Sequence, residues 1–256
     1  MPAVIPVEKE NQMSKTWKGV SILFIPIYSL VTALPMADNT LAAGKMGDDQ
    51  VQKIKKAIEV IEEIMEIPEE GIPEALLKKA YGIAIIPGVM KAAYGIGGQF
   101  GKGILVVRTK KKEWSNPCFI KLAGGSFGLQ IGVQKTDIIL VFKSKGSIEG
   151  ITSGKVTLGA DASIAAGPVG RHAEASTDIE FEAEIYSYSK SHGLFAGISI
   201  KGAAVQIDEK ANSAFYRTSS YTARDIFMNK EIEVPGVTEE LRKVLTKYAK
   251  TPKNLK

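Results

Sequence analysis

The chain has few of the residues that thiol-dependent and metal-dependent enzymes use. Its 256 residues include one cysteine, Cys118, and two histidines, His172 and His192. A single cysteine cannot form an intramolecular disulfide, and Cys118 lies between Pro117 and Phe119, a context typical of a buried strand thiol. A zinc site would need carboxylates gathered beside the two histidines, without a cysteine pair to help. We therefore predict no metal site and no cofactor.

The chain also lacks a strong excess of one charge. Lysine and arginine number 33 against 28 aspartates and glutamates, which gives a net charge of +5. This excess is compatible with an anionic lipid surface but is too small to indicate nucleic acid. A nucleotide-binding P-loop around Gly101 and Lys102 is excluded, because Ile96 and Gly103 occupy the positions that require glycine and a hydroxyl residue. We predict neither a nucleic-acid nor a nucleotide partner.

The longest apolar run lies near the N-terminus, at residues 19–31, directly after a short basic segment. A basic region followed by an apolar region is typical of a secretory signal, and Ala33 and Ala42 both offer cleavage sites. We therefore predict a signal peptide over residues 1–43, with Met13 as a possible true start, and an exported protein that is periplasmic or secreted. The alternative is a retained N-terminal membrane anchor, although the run is short beside the roughly 20 residues of a spanning helix.

Residues 44–256 are predicted to form a single α+β domain, in which helices flank a curved antiparallel, barrel-like β-sheet. Apolar residues at steps of three and four predict an amphipathic helix over residues 48–66 that packs on the core. A short helix is predicted over 73–80. A C-terminal helix is predicted over 238–249, with Thr238 as its cap.

Between residues 82 and 207 the pattern changes to that of strands. In 178–185 apolar and acidic residues alternate, which predicts one buried and one solvated face in an antiparallel sheet. No helical segment of useful length separates the strands, and the frequent glycines suit a sheet that closes or nearly closes on itself. The other strand-like segments are Ile104–Val107, Ile138–Phe142, Lys155–Leu158 and Ala203–Ile207.

Two unusual segments rich in small residues stand out downstream. Residues 158–171 read LGADASIAAGPVGR, and residues 186–197 read YSYSKSHGLFAG. Together with AYGIAIIP at 80–87 and GGSFGLQIG at 124–132, they resemble the SYLF domain, over roughly residues 50–220. This resemblance implies a non-catalytic domain that binds lipids, including phosphoinositides. In eukaryotic relatives such domains accompany SH3 or FYVE modules and associate with actin or with membranes.

The segment from Arg108 to Trp114 is the most plausible membrane contact. It places four bases beside a tryptophan in a predicted hairpin tip. Tryptophan is stable at a headgroup boundary, and each lysine adds roughly 1 kcal/mol of attraction to an anionic surface. The alternative is a solvated turn whose Trp114 packs back under the sheet. The predicted lipid-binding residues are Arg108, Lys110, Lys111, Lys112 and Trp114, with Arg171 and Lys190 as secondary phosphate contacts.

Arg171 also has two interpretations. A guanidinium offers a forked pair of donors that suits a lipid phosphate. Alternatively, Arg171 forms a structural ion pair with Asp161 or Asp178, because an unpaired buried charge is costly.

Two other functions remain as alternatives. The first is a protein-interaction or scaffold module whose partner is another envelope protein. The second is a serine hydrolase, because Gly124–Gly128 fits the G-x-S-x-G nucleophile motif around Ser126, with Asp178 and His192 following in the required order. That motif needs a helix after the serine, whereas residues 129–133 alternate like a strand.

Overall fold

The structure, a computed structural model, describes residues 39–66, 71–168, 182–191, 194–195 and 200–249. Two unusually long strands dominate this part of the chain. Strand β1 (Gly82–Val107) has 26 residues and β2 (Cys118–Phe142) has 25, against about five or six for a typical strand. They pair antiparallel, from Gly82 opposite Phe142 to Leu105 opposite Cys118. The predicted strands Ile104–Val107 and Ile138–Phe142 are the ends of this hairpin.

Within the described residues, five shorter strands complete a seven-stranded sheet in the order β3-β7-β2-β5-β4, with β1 also on β2 and β6 on β5. Among these strands every pairing is antiparallel except that of β4 with β5, which is parallel. The sheet is therefore mixed rather than purely antiparallel. The short strands are β3 (Lys155–Thr157), β4 (Ile164–Ala166), β5 (Ile185–Ser191), β6 (Leu194–Phe195) and β7 (Ala204–Ile207).

The two ends of β1 lie beside each other, because the strand curls through a half-barrel. The Arg108 N–H donates to the Tyr81 carbonyl over 2.7 Å. Farther along, Gly103 lies so close to Ile85 that a Cβ atom on it would be 2.1 Å from the Ile85 carbonyl oxygen. This close approach confirms the prediction of a sheet that nearly closes on itself.

Two irregularities in the β1–β2 pairing help the hairpin to bend. The register shifts between Ile86 and Val89 and again between Tyr94 and Ile96. At the first shift Gly88 has a positive φ of 61°, and its N–H donates to the Asp137 carboxylate over 2.7 Å. Extra residues of this kind bend a strand and increase its local twist.

Six helices lie in the described part of the chain, and α1 packs its apolar face on the core. Ile54, Ile61 and Ile64 are completely buried, which confirms the predicted amphipathic helix, although the helix begins at Asn39 rather than at residue 48. None of these helices is both long and apolar enough to cross a membrane. The helices are α1 (Asn39–Met65), α2 (Glu74–Lys79), α3 (Lys145–Thr152), α4 (Glu209–Tyr216), α5 (Ala223–Met228) and α6 (Val237–Tyr248).

Several sequence predictions differ from the structure, and others fall on residues outside the described ranges. Helix α3 separates β2 from β3, where no helix of useful length was expected. Thr238 does not cap α6, because the helix begins one residue earlier, after Gly236, and Thr238 is buried inside its first turn. Residues 1–38 and 169–181 lie outside the described residues. The signal peptide and the first half of the alternating segment, residues 178–181, therefore remain predictions. Its second half is corrected, because residues 182–184 belong to no strand and β5 begins only at Ile185.

Candidate functional site in the loop between the long strands

Residues 108–117 connect β1 to β2 and form the predicted hairpin tip. Arg108 and Trp114 form an isolated antiparallel bridge across the base of this loop. Inside the bridge, the Thr109 N–H donates to the Glu113 carbonyl over 2.8 Å, and the Lys112 N–H donates to the Thr109 carbonyl over 2.9 Å. The loop is thus a hydrogen-bonded turn that continues the ladder of the two strands.

Trp114 belongs to the core rather than to the surface. Its side chain is only 1% exposed, so in this structure it cannot reach a lipid headgroup. Of the two interpretations that the sequence left open, the one that applies is that Trp114 packs back under the sheet. The prediction of Trp114 as a membrane contact is therefore wrong, because the indole contributes more by leaving water than by lying at its boundary.

Arg108 holds the loop against this tryptophan. Its guanidinium lies 4.0 Å from the centroid of the Trp114 ring, and Nη1 donates to the Lys112 carbonyl over 2.8 Å. Burial lowers the pKa of Arg108 from its ordinary value, and the stacking on the ring compensates part of the lost hydration. Arg108 is therefore a positioning residue in this structure, with its charge directed inward.

The three lysines at the tip point the opposite way. Lys110, Lys111 and Lys112 are all exposed, and within the described part of the chain none of them forms an ion pair. The acid of the loop, Glu113, is hydrogen-bonded instead to Lys230, and that hydrogen bond is the main reason why the pKa of Glu113 is lowered. The three lysines therefore face solvent without an ion-pair partner among the described residues.

Contacts from the C-terminal part of the chain fix the base of the loop, and sequence reasoning missed them. The Asn116 side chain donates to the Asn229 carbonyl over 2.8 Å and accepts from the guanidinium of Arg242. Lys230, the partner of Glu113, comes from the same region. These partners are more than 100 residues from the loop, so no local pattern could indicate them.

The two secondary phosphate contacts have different outcomes. Lys190 lies on β5 and forms an ion pair with Glu63 of α1 over 3.1 Å, with only 16% of its side chain exposed. Arg171 lies outside the described residues. Asp161, its predicted partner, accepts the Thr157 N–H over 2.7 Å, and this bond is the main cause of its lowered pKa.

Comparison with known proteins gives the family. The family model described as Las17-binding protein actin regulator, Ysc84, matches residues 123–248. Protein YSC84 of Saccharomyces cerevisiae is 35% identical over 184 residues, which is 71% of this chain. The chain belongs to the SYLF family. The human SH3 domain-containing YSC84-like protein 1 is 32% identical to this SYLF chain over 206 residues, or 78% of it.

These relatives are considerably longer than the region that they share with this SYLF chain. The alignment spans 39% of the yeast protein YSC84 and 59% of the human protein. A second yeast relative, LAS seventeen-binding protein 3, is 36% identical and is likewise covered over 39% of its length. The similarity therefore concerns the shared domain and not the remaining length of these relatives.

The nucleophile motif of this SYLF chain lies inside a strand. Gly124–Gly128 is part of β2, which continues without a helix to Phe142. A nucleophile elbow requires a sharp turn from a strand into a helix, and the backbone here does not make that turn. Asp178 and His192, the other members of the hypothetical triad, lie outside the described residues.

Proposed function

We propose that this SYLF chain is a non-catalytic protein that binds anionic phospholipid peripherally, including phosphoinositide-type headgroups. The observation that carries the proposal is the exposed cluster Lys110, Lys111 and Lys112 on a turn anchored by buried residues. Each lysine near an anionic surface contributes roughly 1 kcal/mol. Three of them supply about 3 kcal/mol, which corresponds to roughly two orders of magnitude in binding.

The backbone of the turn supports a role for the charge of Lys112. This lysine has a positive φ of 61°, a conformation that costs a non-glycine residue roughly 1–2 kcal/mol. Glycine would adopt it without that cost. We therefore expect Lys112→Gly to leave the fold as stable or slightly more stable, while it weakens binding to anionic vesicles.

The other predicted contacts enter the proposal in subordinate roles. Arg108 and Trp114 position the lysines without touching lipid. Lys190 would have to leave Glu63 before it could bind a headgroup phosphate, so its contribution is secondary. Arg171 remains a proposed phosphate contact on the basis of its guanidinium chemistry.

Co-sedimentation of the full chain with neutral and anionic vesicles tests the proposal. Charge reversal of Lys110, Lys111 and Lys112 to glutamate should reduce binding to anionic vesicles on the order of 100-fold or more. The apolar segment at residues 19–31 is common to both proteins and therefore cancels in the comparison. Binding of the unchanged chain should also weaken as salt rises, because exposed charges are screened over about 8 Å at physiological ionic strength.

A matched control separates the local cluster from net charge. Lys55, Lys155 and Lys201 are also exposed, and their joint replacement by glutamate changes the net charge by the same amount. This control variant should keep most of the vesicle binding. Equal losses in the two triple variants, or no binding by the unchanged chain, would refute the loop as a lipid-binding site.

Exposed apolar side chains on the long hairpin favour a second candidate function, a protein-interaction module. Val133 is 70% exposed, Met90 52% and Phe100 49%. The family description and the yeast relatives name Las17-binding and actin-regulating proteins. For an exported chain, the partner would be another envelope protein. Cross-linking of the chain to an envelope protein that Val133→Glu abolishes, with vesicle binding unchanged, would favour this function over the first.

A further inference from the structure

A second group of lysines surrounds a cavity of about 360 Å3 between α1, the end of β1, the start of β2 and α4. Helix α1 contributes Lys53 and Lys56, which are three residues apart and therefore share one face. Lys102 comes from β1 and is far away in sequence. Two carboxylates, Asp49 and Asp208, lie in the same cavity.

The positive charge in this cavity exceeds the negative charge. Asp208 is largely engaged already, because its carboxylate accepts the Ala211 N–H over 3.3 Å and lies 3.2 Å from Lys102 Nζ. Within the residues that the structure describes, neither Lys53 nor Lys56 forms an ion pair. Three lysines thus share two acids, one of which is held in place by its helix and by Lys102.

This imbalance of charge affects the pKa of Lys53. Burial lowers its pKa, and the nearby charges of Lys56 and Lys102 lower it further, against the opposite influence of Asp208 and Asp49. A partly buried cation without its own counter-charge is costly. Perturbed titratable groups inside a cavity are also frequent at binding sites. A bound anion would relieve both the repulsion and the lost hydration.

The floor of the cavity is formed by residues that belong to the core. Phe119 and Ile120 line it but are 1% and 0% exposed, and Ala211 is 8% exposed, so contacts to a ligand fall mainly on the lysine side chains. A volume of this size lies in the range of small-molecule sites, which combine apolar walls with a few convergent charges. Lysine is a common phosphate ligand because it acts as a point charge with three donors.

We propose that Lys53, Lys56 and Lys102 bind the phosphate group of a phosphomonoester in this cavity. The inference does not rest on the proposed function, since none of these residues belongs to the loop at 108–117. The same chemistry is found in a soluble phosphate ester and in a lipid headgroup that ends in a phosphomonoester.

Calorimetric titration of the full chain with phenyl phosphate, at constant ionic strength in a phosphate-free buffer, tests the site directly. We expect saturable one-site binding, competition by inorganic phosphate, and no binding of phenol. Lys53→Gln and Lys56→Gln should each weaken binding about tenfold, the effect of losing one charge-assisted contact. Lys102 is kept, because its removal would leave the buried Asp208 without its cation.

Lys55→Gln is the matched control, because Lys55 is exposed on the same helix but does not line the cavity. It should bind phenyl phosphate as the unchanged chain does, and so should the triple glutamate variant of Lys110–Lys112. Absence of saturable binding, or an equal loss in Lys55→Gln and Lys53→Gln, would overturn the site. Because phenyl phosphate binding tests the cavity variants without any vesicle, the two proposals fail separately.

Vesicles distinguish the two sources of phosphate. Phosphatidic acid ends in a phosphomonoester, whereas phosphatidylglycerol carries a diester, and the two are compared at equal mole fraction in phosphatidylcholine. If Lys53→Gln selectively reduces binding to phosphatidic acid vesicles, the ligand is a lipid headgroup. If it weakens phenyl phosphate binding alone, the ligand is a soluble ester. Loss of neither would refute the assignment.

Discussion

The side-chain amide of Asn212 pairs with the backbone of Phe119 in both directions. The Phe119 N–H donates to Asn212 Oδ1 over 2.8 Å, and Asn212 Nδ2 donates to the Phe119 carbonyl over 3.1 Å. A side chain of α4 thus takes the place of a neighbouring strand at the start of β2. It satisfies the buried Phe119 N–H, and it adds a second donor to the Phe119 carbonyl, which also accepts the Asp208 N–H over 2.9 Å.

Replacement of Asn212 by leucine should therefore destabilise the fold. The substitution has a similar volume but leaves the Phe119 N–H without its Asn212 acceptor, at a cost of about 1–3 kcal/mol, while the Phe119 carbonyl keeps its bond from the Asp208 N–H. Urea unfolding followed by circular dichroism measures the change. A free energy of unfolding equal to that of the unchanged chain would contradict the structural role of this pair.

Alanine at Gly103 should be strongly destabilising. A Cβ atom there would lie 2.1 Å from the Ile85 carbonyl oxygen and 2.7 Å from Ile86 Cα. Backbone cannot move away as a flexible side chain can, so we expect a loss of at least about 1–3 kcal/mol. Gly125→Ala is the matched control, because nothing lies within 4 Å of the Cβ position there. Similar unfolding midpoints for the two variants would be inconsistent with the curled strand.

Cys118 should resist thiol reagents in the folded protein. Its side chain is fully buried, and burial raises the pKa of the thiol to about 12. Because the unfolded thiol ionises near its ordinary pKa of about 8.5, stability attributable to this group is complete below that value and is lost as pH rises toward 12. Labelling by a disulfide reagent at pH 8 should therefore be slow in buffer and rapid in denaturant. Fast labelling in buffer would show that the strand is open.

The fluorescence of Trp114 should show no contact with membranes. In a Trp17→Phe variant, which leaves Trp114 as the remaining tryptophan, emission should be blue-shifted and poorly quenched by acrylamide because the indole is buried. Anionic vesicles should leave that spectrum unchanged even when the protein is bound. A vesicle-dependent shift would return Trp114 to the lipid-contacting residues.

The predicted export can be checked by intact-mass measurement of the protein from its native envelope. Cleavage after Ala33 or Ala42 would leave a chain that begins at Leu34 or Ala43. A full-length mass in the membrane fraction would support the retained anchor instead. A full-length mass in the cytoplasmic fraction would contradict both possibilities.

Sequence patterns predicted those parts of the fold in which the local pattern of residues agrees with the burial seen in the structure. The spacing of Ile54, Ile58 and Ile61 predicted α1, and frequent glycines predicted the curled sheet. Helix α3 was missed because Gly146 and Gly150 lower its intrinsic helix propensity. The burial of its isoleucines on the core outweighs that preference.

The candidate site was predictable in position but not in orientation. The lysines at 110–112 and a hairpin at that place are visible in the sequence. The orientation of Trp114 depends on Arg108, whose guanidinium stacks on the indole ring, and on Arg242 of α6, which donates a hydrogen bond to the base of the loop. The lysine-lined cavity has the same limitation, because Lys102 meets Lys53 only when α1 packs on β1.

The bond between the Arg108 N–H and the Tyr81 carbonyl has a consequence for the order of folding. The hairpin has its most local pairs beside the basic loop, so loop-closure entropy favours zipping from that end. We therefore expect the long-range pairs of Gly82 and Ile83, and with them the contact between the two ends of β1, to form late. Substitutions in the loop should thus act chiefly on the folding rate, whereas those near Tyr81 should act chiefly on the unfolding rate.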